Sequence, residues 1–166
     1  GGARGAYQIG AWRALREAGV RISAVAGTSV GALNGAFICM DRLEQAEEIW
    51  KNISFSRIMD VDDAQMRKLF DGELPLKEAV TGILHRLGSG GVDVTPLKEL
   101  LANYVDEDAI RNSPIPLYIL TFNVDAFQEL ELNIKDVEPG MIKDYLLASA
   151  YIFPLFKNER INGKKY

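Results

Sequence analysis

A serine with glycine two positions away on either side, Gly27-Thr28-Ser29-Val30-Gly31, is the arrangement in these 166 residues best suited to chemistry. The spacing G-x-S-x-G holds a hydroxyl on a tight strand-to-helix bend, exposed for attack on a carbonyl. Strand and helix approach closely there, so the flanking positions must be small. Gly27 and Gly31 meet that need, and Ala32 and Gly35 continue it along the following segment. A helix starting beneath the serine adds unpaired N–H groups and a partial positive charge where a negative oxygen would form. Composition alone yields the pattern in about one chain in twenty of this length. Its surroundings therefore decide between a nucleophile and a plain glycine-rich turn with a capping serine.

The opening residues, Gly1-Gly2-Ala3-Arg4-Gly5, supply a second candidate. Glycines ahead of a helix leave backbone N–H groups free to meet an anion. The nucleotide-cradling patterns G-x-G-x-x-G and G-x-x-x-x-G-K-[ST] are both absent. An acyl-transfer enzyme has its own use for such donors, because its tetrahedral intermediate carries a negative oxygen that glycines allow the backbone to approach. Arg4 is either a solvated surface cation or a residue that fixes the loop and faces the anion.

The elements that must position these groups follow from periodicity. Ile9, Trp12 and Leu15 predict a helix over 6–18 with Gly19 as its stop. Residues 22–26 read as a short buried strand, and 30–40, apolar almost all round, as a helix inside the core. Leu43, Ala46, Ile49, Trp50 and Ile53 mark an amphipathic helix with Glu44, Glu47, Glu48 and Lys51 facing water. A helical segment is expected over 76–87, followed by the flexible Gly88-Ser89-Gly90-Gly91. Thr95-Pro96 predicts a helix start, with Thr as cap and Pro at the first helical position, running to about Tyr104. Residues 117–124 form the clearest strand, 129–134 its hairpin partner, and 141–150 a helix. Asn162-Gly163 marks a tight hairpin turn within 159–166. Strands alternating with helices predict an α/β fold of three layers, a mainly parallel central sheet with helices on both faces.

Bulk properties exclude several functions. A net charge of -4 gives no basic face for nucleic acid. The lone Cys39 can form neither an internal disulfide nor a zinc site and, within an apolar run, is expected to be a buried, inert thiol. No apolar run approaches the roughly 18 residues that span a membrane. Asp60, Asp62 and Asp63 lack the ligand spacing of a calcium loop and read as a solvated turn. No metal or cofactor is expected.

Taken together, Gly1, Gly2, Arg4 and Gly5, followed one strand–helix unit later by Gly27-Thr28-Ser29-Val30-Gly31, resemble the patatin-like phospholipase family. That family carries a G-G-G-x-[RK]-G loop, a G-x-S-x-G elbow and a distal D-G-[GA]. Ala148-Ser149-Ala150 to Pro154 is similar to the family's A-S-x-x-x-P stretch. The resemblance implies a patatin-like fold and a Ser–Asp dyad in which a carboxylate takes the Ser29 proton without histidine. Residues 1–166 are then expected to be a single patatin-like catalytic domain cut at both ends, lacking its first strand and the distal D-G-[GA]. The partner aspartate is expected just after Tyr166, so these residues by themselves would lack their general base.

The implied activity is that of a lipid acyl hydrolase of phospholipase A type, proceeding through a covalent acyl-enzyme. Val30 N–H and the loop of Gly1, Gly2, Arg4 and Gly5 would hold the oxyanion. A lipid at a membrane surface is the expected substrate and nucleic acid is not a partner. A soluble protein working at membrane surfaces is expected, the cytoplasm being one compartment compatible with it. Two alternatives stay open: a Ser–His–Asp esterase of the α/β-hydrolase type, and a catalytically inactive lipid-binding module of the same fold. Against the first, the only histidine, His85, lies in the amphipathic segment 74–87 and reads as a surface residue, that segment packing over the core edge or serving as an interfacial lid. Asp125 at the end of the best strand is the rival base within the chain, and its turn context favours a plain turn role.

Overall fold

A helix that is apolar all round has nowhere to face but inward, and the computed structural model places it accordingly. It describes residues 4–52, 95–123, 125–126, 128–150, 160–161 and 163–165. Helix α2 (Val30–Cys39) buries eight of its ten residues. Beside it α1 (Arg4–Glu17) buries Gly5, Ile9 and Trp12 along one face, while α3 (Leu43–Asn52) buries Leu43, Ala46 and Ile49. Arg13 on α1 makes a two-pronged ion pair with Glu47 on α3, which ties these outer helices together. That guanidinium holds the Glu47 carboxyl below the usual carboxylate range.

The sheet lies under α2. Strand β1 (Val25–Gly27) runs parallel to β2 (Leu117–Asn123), pairing Val25 with Leu117 and Gly27 with Ile119. Strand β3 (Gln128–Asn133) returns antiparallel, pairing Tyr118 with Asn133 and Asn123 with Gln128. The described sheet is thus small and mixed, in the order β1-β2-β3. Gly35 lets α2 lie close upon it, since a Cβ there would stand 2.6 Å from Leu117 Cδ1. Along β2 the side chains alternate, with Leu117, Ile119, Thr121 and Asn123 buried and Tyr118 and Leu120 exposed.

Three more helices complete the described core. Helix α4 (Thr95–Tyr104) buries Leu97, Leu100 and Leu101. The short α5 (Glu107–Asn112) was not expected; it is capped by Asp106, whose carboxylate accepts from Ala109 N–H at 3.0 Å. Helix α6 (Ile142–Ala150) is buried over most of its length. Arg111 on α5 donates to the carbonyls of Lys135, Val137 and Glu138, and Glu107 accepts the Lys143 N–H at 3.2 Å, so α5 steadies the start of α6. The hairpin read from Asn-Gly is present as β4 (Arg160–Ile161) against β5 (Lys164–Lys165), with Gly163 at φ +80°.

Candidate active site

Two residues, Thr28 and Ser29, separate the end of β1 from the start of α2. Ser29 occupies φ 54°, ψ -126°, a conformation that side chains other than glycine rarely adopt. It stands at the N-cap of α2, yet its side chain makes no capping hydrogen bond. This removes the capping-serine alternative: the hydroxyl is held in strained backbone and is not used to close the helix.

The two glycines of the motif have different surroundings. A Cβ on Gly27 would run into the carbonyl group of Gly31 and approach Ala32 N at 2.7 Å, so Gly27 is what lets strand and helix meet. Around Gly31 no described atom lies within 4 Å of a Cβ.

Backbone hydrogen bonding at the bend is nearly complete. Ser29 N–H is accepted by the Ser149 carbonyl at 3.1 Å and by Ser149 Oγ at 3.0 Å. Gly31 N–H donates to Thr28 O and Ala32 N–H to Ser29 O, each at 2.9 Å. Among the described residues no acceptor meets the Val30 N–H. Such an amide at a helix start, next to the candidate nucleophile, is suited to receive an oxyanion.

Ser149, near the end of α6, ties the bend to the sheet. Its Oγ donates to Leu120 O at 2.7 Å and lies 3.4 Å from Thr28 Oγ1, which itself donates to Leu120 O at 3.3 Å. The sequence drew attention to Ser149 only through its family resemblance; the structure gives it a definite task.

The start of α1 approaches the same place. Gly5 packs so tightly against Val30 and the Trp50 indole that neither would tolerate a Cβ there. The first turn of α1 and the first turn of α2 therefore meet beside Ser29. Arg4 opens α1 and is exposed. Gly1 and Gly2 lie outside the described residues, as do His85, Asp60, Asp62, Asp63, the segment 74–87 and Pro154. Asp125 sits exposed in the turn between β2 and β3, where Asn123 Oδ1 accepts from Ala126 N–H at 3.0 Å.

Ser29 is the one polar residue among the described residues that line a cleft beside the bend. The remaining described lining is apolar, with Leu33, Phe37, Ile49, Trp50, Leu97 and Leu146 among its walls. An apolar lining of this kind suits a hydrocarbon chain. Cys39 stays outside this chemistry: burial pushes its thiol up to about 11, and it faces the Ile115 carbonyl. Among the described residues no group of His, Cys, Asp or Glu could hold a metal ion, and no helix is long and apolar enough to cross a membrane.

Sequence reading passed over Asn34, although a signal was present, since it is the only amide in an otherwise apolar helix. It is buried and hydrogen-bonded to groups on both α1 and α3.

The sequence model of the patatin-like phospholipase family matches residues 1–166. Among individual proteins, the chain is similar to the neuropathy target esterase sws of Drosophila sechellia and to that of Drosophila persimilis. Each is 55% identical over 42 residues, which is 25% of this chain and 3% of the relative's length.

Proposed function

The chain belongs to the patatin-like phospholipase family, and from that premise we propose that it carries the nucleophile of a lipid acyl hydrolase. Ser29 Oγ attacks the carbonyl carbon of a lipid ester. Its proton passes to an aspartate of the family's D-G-[GA] motif, which residues 1–166 do not contain. The carbonyl oxygen, now negative, is received by Val30 N–H together with amides of the Gly1–Gly5 loop. Collapse of this intermediate returns the proton to the departing alcohol oxygen and leaves the acyl group on Ser29. Water, deprotonated by the same carboxylate, then releases the fatty acid and restores the serine.

The observation that carries this reading is the Ser29 backbone, strained at φ 54° with a hydroxyl that does not cap its own helix. Strain of about 1–3 kcal/mol at one residue is retained where surrounding structure enforces it and chemistry uses it. The apolar cleft beside Ser29 supports an acyl chain as the group that is transferred. That the similar proteins are named esterases agrees with an ester as the bond cleaved.

The test is fatty-acid release from mixed phospholipid vesicles by the full-length protein, beside labelling with a fluorophosphonate. Wild type should release fatty acid and take up the label at Ser29, and Ser29→Ala should do neither. Equal release by both proteins would end the proposal.

A further inference from the structure

We propose that Asn34 is a positioning residue, whose amide sets the distance between Gly5 at the start of α1 and the Val30 N–H on α2; the inference rests on the hydrolase reading above. Asn34 lies one helical turn after Val30, on the same face of α2. Its Nδ2 donates to the Gly5 carbonyl at 3.0 Å and to Gln8 Oε1 at 2.8 Å, and its Oδ1 accepts from Trp50 Nε1 at 2.9 Å. One buried side chain, 3% exposed, thus joins three helices at the point where α1 and α2 begin.

Stability alone does not call for an amide here. Within a buried helix, leucine or alanine is the better helix former and needs no hydrogen-bond partners. Asparagine is tolerated because both amide protons and the carbonyl oxygen are engaged. What it adds is direction. Gly5 has no side chain, so its packing on Val30 and Trp50 resists closer approach but does not hold it against sliding. A hydrogen bond from Asn34 to the Gly5 carbonyl does, and Gly5 is one of the residues whose amides would share the oxyanion with Val30. Such donors work at about 2.7–3.1 Å, and a displacement of about 1 Å lowers turnover by roughly a hundredfold. Trp50, the third partner, is also a wall of the apolar cleft, so one amide holds the cleft wall and Gly5 in a common frame.

The experiment compares wild type, Asn34→Leu, Asn34→Gln and Gln8→Leu in the full-length protein, using a soluble short-chain p-nitrophenyl ester, with Ser29→Ala as the blank. Asn34→Leu should lose about a hundredfold in kcat, keep KM within about threefold and leave the pH dependence of kcat/KM unshifted, since the general base is untouched. Asn34→Gln, which retains an amide, should recover to within about tenfold of wild type. Gln8→Leu, which removes only one of the two acceptors, should stay within about threefold. A folded Asn34→Leu with kcat within threefold of wild type would overturn the proposal, as would an equal loss in Gln8→Leu. Should Asn34→Leu not fold, Asn34→Ser takes its place, because its hydroxyl is too short to reach Gly5; unchanged kcat in that variant overturns the proposal equally. Wild type no faster than Ser29→Ala is a separate result, which removes the hydrolase reading and the role of Asn34 with it.

Discussion

Helix α2 has a residue other than glycine at positive φ at each end, Ser29 at 54° before it and Asp41 at 55° after it. The two ends use a positive φ for opposite purposes. After the C-terminus, Asp41 N–H donates to Ile38 O and Arg42 N–H to Phe37 O, both at 3.1 Å, the paired bonds of a left-handed helix stop in which glycine is the usual occupant. The end of α1 has the same arrangement with Gly19 at φ 73°. Glycine would serve at position 41 as well as aspartate or better. Before the N-terminus the strained residue bears the one hydroxyl among the described residues that line the apolar cleft, and glycine there would remove the chemistry. A positive φ teaches little by itself; what separates the two sites is whether the side chain is needed.

The most severe challenge to this comparison is Ser29→Gly. Hydrolysis should fall by about 10⁴-fold or more, as when a nucleophile is deleted. Stability should rise by about 1 kcal/mol, because strain is relieved and no capping bond is lost, after allowance for the greater freedom of glycine in the unfolded chain. Thermal denaturation and ester turnover on the same preparations measure both. A protein that became less stable would mean that Ser29 is held for structural reasons, and the contrast between the two ends would disappear.

Next in size is Ser149→Ala. The Ser29 amide would keep the Ser149 carbonyl but lose the hydroxyl, and the Leu120 carbonyl would lose its shortest donor. Stability should fall by about 1–2 kcal/mol and kcat by about tenfold, through looser placement of the bend. Urea titration and steady-state kinetics check the two figures. A loss of stability with kcat intact would confine Ser149 to holding α6 on the sheet.

At the other end, Asp41→Gly should leave turnover unchanged and raise stability by about 0.5 kcal/mol. Relief of the left-handed backbone outweighs the entropy of glycine, and the exposed Arg16–Asp41 pair that is lost contributes little. Differential scanning calorimetry on the pair of proteins decides. A drop in stability would show that aspartate is preferred at this stop, making the two ends alike in depending on their side chains.

The same contrast explains which parts were legible in the sequence. The elbow was, because close approach of strand and helix permits few residues at position 27 and the motif records that restriction. Element types were legible for α1, α2, α3, α4 and the β2–β3 hairpin, where apolar spacing is regular. Strand β1 was expected over 22–26 and spans Val25–Gly27, since three residues carry no period of their own. Helix α5 went unseen for a similar reason: six residues show no amphipathic repeat, and Asp106 as its cap was the only local mark. Ser149 and Asn34 act across 120 and 29 positions of chain, on Ser29 and Gly5 respectively. No local pattern could pair them, although an amide within an apolar helix signals that a partner must exist. The left-handed Asp41 escaped because only glycine announces that conformation.

The smallest effect is expected just beyond the C-terminal end of α2, where Arg42 pairs with Asp106 at 3.2 Å. The Asp106 carboxyl is held below its ordinary value, chiefly by the hydrogen bond from Ala109 N–H and further by Arg42. A carboxyl depressed in the folded state adds stability above its unfolded pKa, near 3.8, and that contribution is lost as pH falls through the lower folded value. Asp106→Asn keeps a good N-cap for α5 and removes only the charge. Near pH 7 the melting temperature should therefore move by no more than about 2 °C, since exposed pairs contribute little. As the pH falls through the unfolded value near 3.8 toward the lower folded one, the variant should lose less stability than wild type. Turnover should be the same in both proteins, because neither Arg42 nor Asp106 is among the described residues that line the cleft. If Asp106→Asn slowed hydrolysis without lowering the melting temperature, the two ends of α2 would be coupled, and the division between a chemical end and a structural end would no longer hold.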